Sequence, residues 1–135
     1  TWLTEGERQI ATQNAAGAVA AFQRVLEKYP EQPRALYGLA VAAVLQGESD
    51  RAKELFHRLV AKPGQPGVGS SARDPLILAW SHVYLARIYD DEGNPQVAKA
   101  EYQSALAVEG GPEQARQAAQ KGLATPGSDK QAARP

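Results

Sequence analysis

Four groups of side chains in this sequence have the types and spacing from which chemistry could be built. Two histidines, His57 and His82, come first. A histidine acting as a base or metal ligand needs partners within reach. Ser81 points elsewhere on a helix than His82, because consecutive helical residues do not share a face. His57 falls on the outer face of its helix. The pair reads as a packed His82 and a solvated His57. The second group is Gly64, Gly67 and Gly69 ahead of Ser70 and Ser71, which has some of the look of a phosphate loop. No strand precedes it, and the lysine that should follow the last glycine is missing. Asp74, at the start of the next helix, would also repel an anion. A flexible connection is the expected role, with a lid over a bound partner as the alternative.

The third group is the acidic run Asp90, Asp91 and Glu92. It lacks the alternating oxygen ligands of a calcium loop. At a helix C-terminus these charges oppose the macrodipole, so a solvated turn is expected, with contact to a basic partner side chain second. The fourth group is aromatic and cationic: Tyr37, Trp80 and Tyr84 with Arg34 and Arg87. Trp, Tyr and Arg are the types enriched at binding hot spots, and a guanidinium can hold a carboxylate or a backbone carbonyl. Cysteine is absent, which removes disulfides, thiolate nucleophiles and zinc–cysteine sites together. No catalytic residue, cofactor site or metal site is expected from this set.

The elements that must position these groups are helices. Fifteen basic residues balance fifteen acidic ones among 135 residues, so charge gives no case for nucleic acid or an anionic membrane. Hydrophobic content of 43% is enough for a packed core. Helix formers dominate and no period-two apolar run occurs. The apolar run from Ala35 to Leu45 is far short of the roughly 20 residues a membrane span needs. The residues from Thr1 lack the charged-then-apolar pattern of a signal peptide, so none is expected there. The lack of any methionine predicts a piece of a longer protein or a processed product.

The sequence predicts seven helices. The first runs from about Trp2 to Thr12, and Asn14 caps a second that Pro30 stops. A third spans Arg34 to Gln46 and ends at Gly47, a left-handed C-cap. Asp50 or Ser49 caps a fourth. Asp74–Pro75 and Asn94–Pro95 each start a helix by an N-cap and a proline in the first turn. The seventh runs from Pro112 to about Leu123 on a thin stripe of Ala115, Ala118, Ala119 and Leu123. Ala98, Tyr102, Ala105 and Leu106 repeat, 46 residues on, Ala52, Phe56, Leu59 and Val60, and these repeat Ala18, Phe22, Val25 and Leu26 after 34. The 63–73 stretch accounts for the longer second interval.

A 34-residue helix–turn–helix period is the length of the tetratricopeptide repeat, and the sequence resembles that family. Trp2, Gly6, Ala18, Phe22 and Pro30 carry the first unit. Leu36, Leu39, Ala40, Gly47, Ala52, Phe56 and Leu59 carry the second, and Leu85, Ala86, Tyr89, Gly93, Ala98, Tyr102 and Ala105 the third. The resemblance implies an all-α solenoid with repeats at about 1–32, 33–62 and 74–109. The thin stripe of the seventh helix predicts a cap at 112–123, the change of spacing an insertion at 63–73, and the small and polar make-up of the end a flexible tail from 124 to 135. The resemblance further implies a concave face lined by the first helix of each unit, where partner peptides bind. On that face would lie Arg34, Tyr37, Val41, Trp80, Tyr84, Arg87 and Asp91, with Leu3, Glu7, Ile10, Val44, Leu45 and Val83 around them. Core packing is the competing role for Val44, Leu45 and Val83; binding and structural roles stand equal for Tyr37, Trp80 and Arg87. The Lys and Asn clamp of the chaperone-tail binders is absent, because Leu3, Glu7, Gly38, Trp80 and Tyr84 stand in its place.

The expected function is a non-enzymatic interaction module for a partner peptide or helix. The alternative is a structural, self-associating or spacer domain of a larger protein, which leaves a homo-oligomer open. The chain also resembles bacterial repeat modules attached to larger, often exported proteins; compartment stays open.

Overall fold

A computed structural model describes residues 1–62 and 74–125. The 63–73 insertion and the tail beyond Thr125 lie outside the described residues. Seven helices make up the described part: α1 Trp2–Ala11, α2 Ala15–Lys28, α3 Pro33–Leu45, α4 Ser49–Val60, α5 Pro75–Asp91, α6 Pro95–Ala107 and α7 Glu113–Ala124. They fall into two compact units, Thr1–Arg73 and Asp74–Pro135. The fold class is all-α, as the composition and patterning predict.

Within the first unit each helix packs on its neighbour in sequence, and α1 also meets α3. Asn14 caps α2 by accepting from the Gly17 amide at 3.1 Å. The small residues Ala18 and Ala52 are wholly buried, and so are the aromatics one turn on, Phe22 and Phe56. Close helix approach needs the small residue, and the ring fills the space beside it. Phe22 lies against backbone on two sides. A Cβ added at Gly6 on α1 would fall 2.5 Å from its ring, and one at Gly38 on α3 would fall 2.2 Å from it.

In the second unit α5 packs on α6, α6 on α7, and α5 on α7. Asp74 caps α5 by accepting from the Leu76 amide at 2.9 Å, with Pro75 in the first turn. Ala79, Val83, Ala86, Ala98, Tyr102, Ala105, Ala115 and Ala119 form its core, and Ala118 and Leu123 pack against it half-buried. A second stripe on α5, Ile77, Ser81, Leu85 and Ile88, is also buried. α7 keeps Ala124 as its last residue, so helix reaches one residue into the stretch expected to be tail.

The turns between α1 and α2, α3 and α4, and α5 and α6 share one geometry. Gln13, Gly47 and Gly93 hold left-handed φ of 60, 74 and 78°. The next amide in each case, of Asn14, Glu48 or Asn94, donates to the carbonyl five residues back, at 2.8 Å. This is the Schellman closure. It also sets the cap position, because the residue after the left-handed one enters the next helix. That places Glu48, not Ser49 or Asp50, at the N-cap of α4, and no side-chain cap bond forms. Asn94 stands at the cap position of α6 without a side-chain cap bond, and Pro95 takes the first turn.

Candidate functional site

Trp80, Tyr84 and Arg87 stand at i, i+4 and i+7 on α5, which places them on one face of that helix. The structure brings the three together. The rings of Trp80 and Tyr84 lie with centroids 6.2 Å apart and planes tilted by 46°. The guanidinium carbon of Arg87 is 5.9 Å from each ring centroid. Both rings are half-buried and Arg87 is exposed. Burial pushes the Tyr84 hydroxyl above its ordinary pKa, against the opposing pull of Arg87. The phenol is therefore neutral at pH 7, a donor and acceptor beside a cation. Asp91, one turn beyond Arg87, is exposed. Arg87, Asp90, Asp91, Tyr102 and Lys121 line a cavity of about 430 Å³ that α7 helps to close.

Two polar contacts fix α5 against α6. His82 Nδ1 lies 2.9 Å from Glu101 Oε2. An ionised carboxylate only accepts, so Nδ1 carries the proton. His82 is thus packed, as the sequence predicts, but with a carboxylate partner that the sequence reading misses. The Tyr102 hydroxyl donates to Asp90 Oδ2 at 3.3 Å. Asp91 and Glu92 are exposed as expected, whereas Asp90 is 7% exposed, which corrects the expectation of a solvated acid at that position. The reason is visible in the repeat. The residues twelve before Phe22 and Phe56 are Ile10 and Val44, whereas Asp90 stands twelve before Tyr102. Where the ring gains a hydroxyl, its neighbour becomes an acceptor, because a buried phenol needs a partner. On the far side, the guanidinium of Arg116 on α7 donates to the Leu106 carbonyl at 3.1 Å.

In the first unit the predicted residues behave differently. Nε and Nη2 of Arg34 donate to the two carboxylate oxygens of Glu7 at 3.1 and 2.5 Å. Both side chains are about half exposed. The guanidinium expected to hold a partner's polar group is thus already engaged by an acid on the same predicted face. Tyr37 is half-buried and packs edge-on to Phe56, with centroids 6.1 Å apart. Val41 is 9% exposed and belongs to the core, as does Val83, wholly buried in the second unit. Leu45, by contrast, is 45% exposed and does not follow the core reading.

No group of three or more His, Cys, Asp or Glu side chains able to hold a metal ion occurs among the described residues. None of their helices is long and apolar enough to cross a membrane. In comparison with known proteins, residues 3–66 match a family model described as tetratricopeptide repeat. No curated protein matches the chain.

Proposed function

We propose, from the match of residues 3–66 to the tetratricopeptide-repeat model, that the chain is a non-enzymatic module holding a segment of a partner protein on the exposed face of α5. Repeats of this family are generally protein–protein interaction modules. The observation that carries the reading is the cluster of Trp80, Tyr84 and Arg87. Its rings are half-buried and held by packing, so little side-chain entropy is lost when a partner covers them. The guanidinium stacked on both rings has no ion-pair partner among the described residues, which leaves its edge for a carboxylate or a backbone carbonyl. Asp91 and Lys121 add polar contacts at the neighbouring cavity.

Tyr37 and Arg34 form a separate, weaker set in the first unit, since Arg34 must leave Glu7 before it can hold another acceptor. The turn between α5 and α6 and the buried Ala98–Tyr102 pair on α6 support reading these two helices as a further repeat, with α7 as its cap. Capture of the partner should fall at least tenfold on Trp80→Ala or Arg87→Ala with helical circular dichroism unchanged, in keeping with hot-spot losses of about 2 kcal/mol or more. Arg34→Ala should weaken it less. Equal capture by Trp80→Ala, Arg87→Ala and the parent chain would remove the α5 face from the account.

A further inference from the structure

The start of α1 and the end of α2 enclose a second surface, in the first unit. Trp2 and Tyr29 are the most exposed large hydrophobic side chains among the described residues, at 51 and 57%. They border an open slot of about 260 Å³, lined also by Leu3 and Val25. Two cations one helical turn apart on α2 frame it. The guanidinium carbon of Arg24 is 5.1 Å from the Trp2 ring centroid, and Lys28 Nζ is 5.7 Å from that of Tyr29. Each cation is laid along an aromatic face, which orients it and leaves its remaining N–H groups at the rim. Neither is in an ion pair among the described residues. No acidic side chain among the described residues lines the slot.

That combination selects its occupant by charge. A basic segment would meet two like charges at the rim. A purely apolar one would cover the rings and draw the two cations out of water with nothing to pair them, which carries a desolvation penalty. A segment bearing carboxylates beside a bulky aliphatic residue satisfies both requirements, and apolar burial and charge pairing then act together. We propose that this slot docks an acidic amphipathic segment of another protein, seating an aliphatic side chain between Trp2 and Tyr29 and carboxylates on Arg24 and Lys28. It is a different surface from the α5 face and does not depend on it.

A short synthetic peptide with leucines at helical spacing and glutamates beside them is the probe, with glutamine and lysine versions as controls. In Trp80→Phe protein Trp2 is the sole tryptophan, so its fluorescence reports on the slot. The glutamate peptide should shift that emission and bind at least tenfold more tightly than the glutamine version, less so as salt rises. Combined Arg24→Glu and Lys28→Glu should reverse the preference toward the lysine peptide. Read by the anisotropy of a dye-labelled glutamate peptide, Trp2→Ala should abolish binding with helicity intact, and Trp80→Ala with Arg87→Ala should leave it unchanged. Equal binding of the three peptides, no binding of the glutamate peptide, or indifference to the charge reversal would overturn the proposal. So would sedimentation showing that the chain pairs with itself through this slot.

Discussion

The ring of Phe22 occupies the space that a side chain at Gly38 would need: a Cβ there would fall 2.2 Å from Cζ. Two effects of opposite sign meet at this position. Replacing a mid-helix glycine by alanine favours α3 by about 1 kcal/mol, whereas overpacking a filled core costs about 1–3 kcal/mol. Phe22 is wholly buried and also faces Gly6, so the ring cannot swing away and the second effect wins. Gly38→Ala should therefore lower stability by about 1–2 kcal/mol in urea unfolding. A Phe22→Leu change in the same chain should recover part of the loss. An additive double mutant would show that ring and glycine are not coupled.

The left-handed residue of the first turn is Gln13, where the other two turns use Gly47 and Gly93. A non-glycine residue there bears a steric cost of about 1–2 kcal/mol, offset in part by its smaller loss of chain entropy on folding. Gln13→Gly should raise stability by about 0.5–1 kcal/mol, read as a higher denaturation midpoint at unchanged slope. A lower midpoint would mean that the Gln13 side chain makes a compensating contact.

Ser81 is wholly buried on α5, and its hydroxyl has no hydrogen-bond partner among the described residues. An unsatisfied buried polar group costs about 1–3 kcal/mol, and alanine is the better helix former. Ser81→Ala should be neutral or stabilising by up to about 1 kcal/mol. A clear loss in thermal unfolding would reveal a partner for that oxygen.

The carboxyl of Glu5 is held down to about 2 by the hydrogen bonds of Arg8 and then of Gln9, with the Arg8 charge adding to them. A depressed acid contributes stability above its unfolded pKa and loses it as pH falls through the folded value. The window is therefore from about pH 4.5 down to about pH 2. The group is exposed, so the contribution is small and salt should weaken it. Carboxyl NMR titration should give Glu5 a midpoint well below 4.5, rising in Arg8→Ala. An unshifted midpoint at low salt would show that the pairing is not maintained in solution.

The helix pairs were legible because alanine and an aromatic recur in phase at Ala18 and Phe22, Ala52 and Phe56, and Ala98 and Tyr102. Gly47 and Gly93 announce their turns, whereas glutamine carries no left-handed signature, so the matching turn at Gln13 is hidden. Residue type misleads at α4, where Ser49 and Asp50 are better cappers than Glu48, but the Schellman turn decides the register. The site was half legible. Helical spacing alone gathers Trp80, Tyr84 and Arg87. The pairing of Arg34 with Glu7, 27 residues away, depends on how α1 and α3 pack and has no local signal. Asp90 reads as one of three solvated acids until the hydroxyl of Tyr102 is set beside it.

A partner segment on the α5 face would lie against Tyr84. A photo-crosslinking phenylalanine analogue in place of Tyr84, in the cells that make the protein, reads this at one residue. The same analogue at the exposed His57 of α4 serves as control. A discrete crosslinked protein is expected at position 84, absent at 57 and lost when Arg87→Ala is added with helicity unchanged. The same products at both positions, or none at 84, would contradict it.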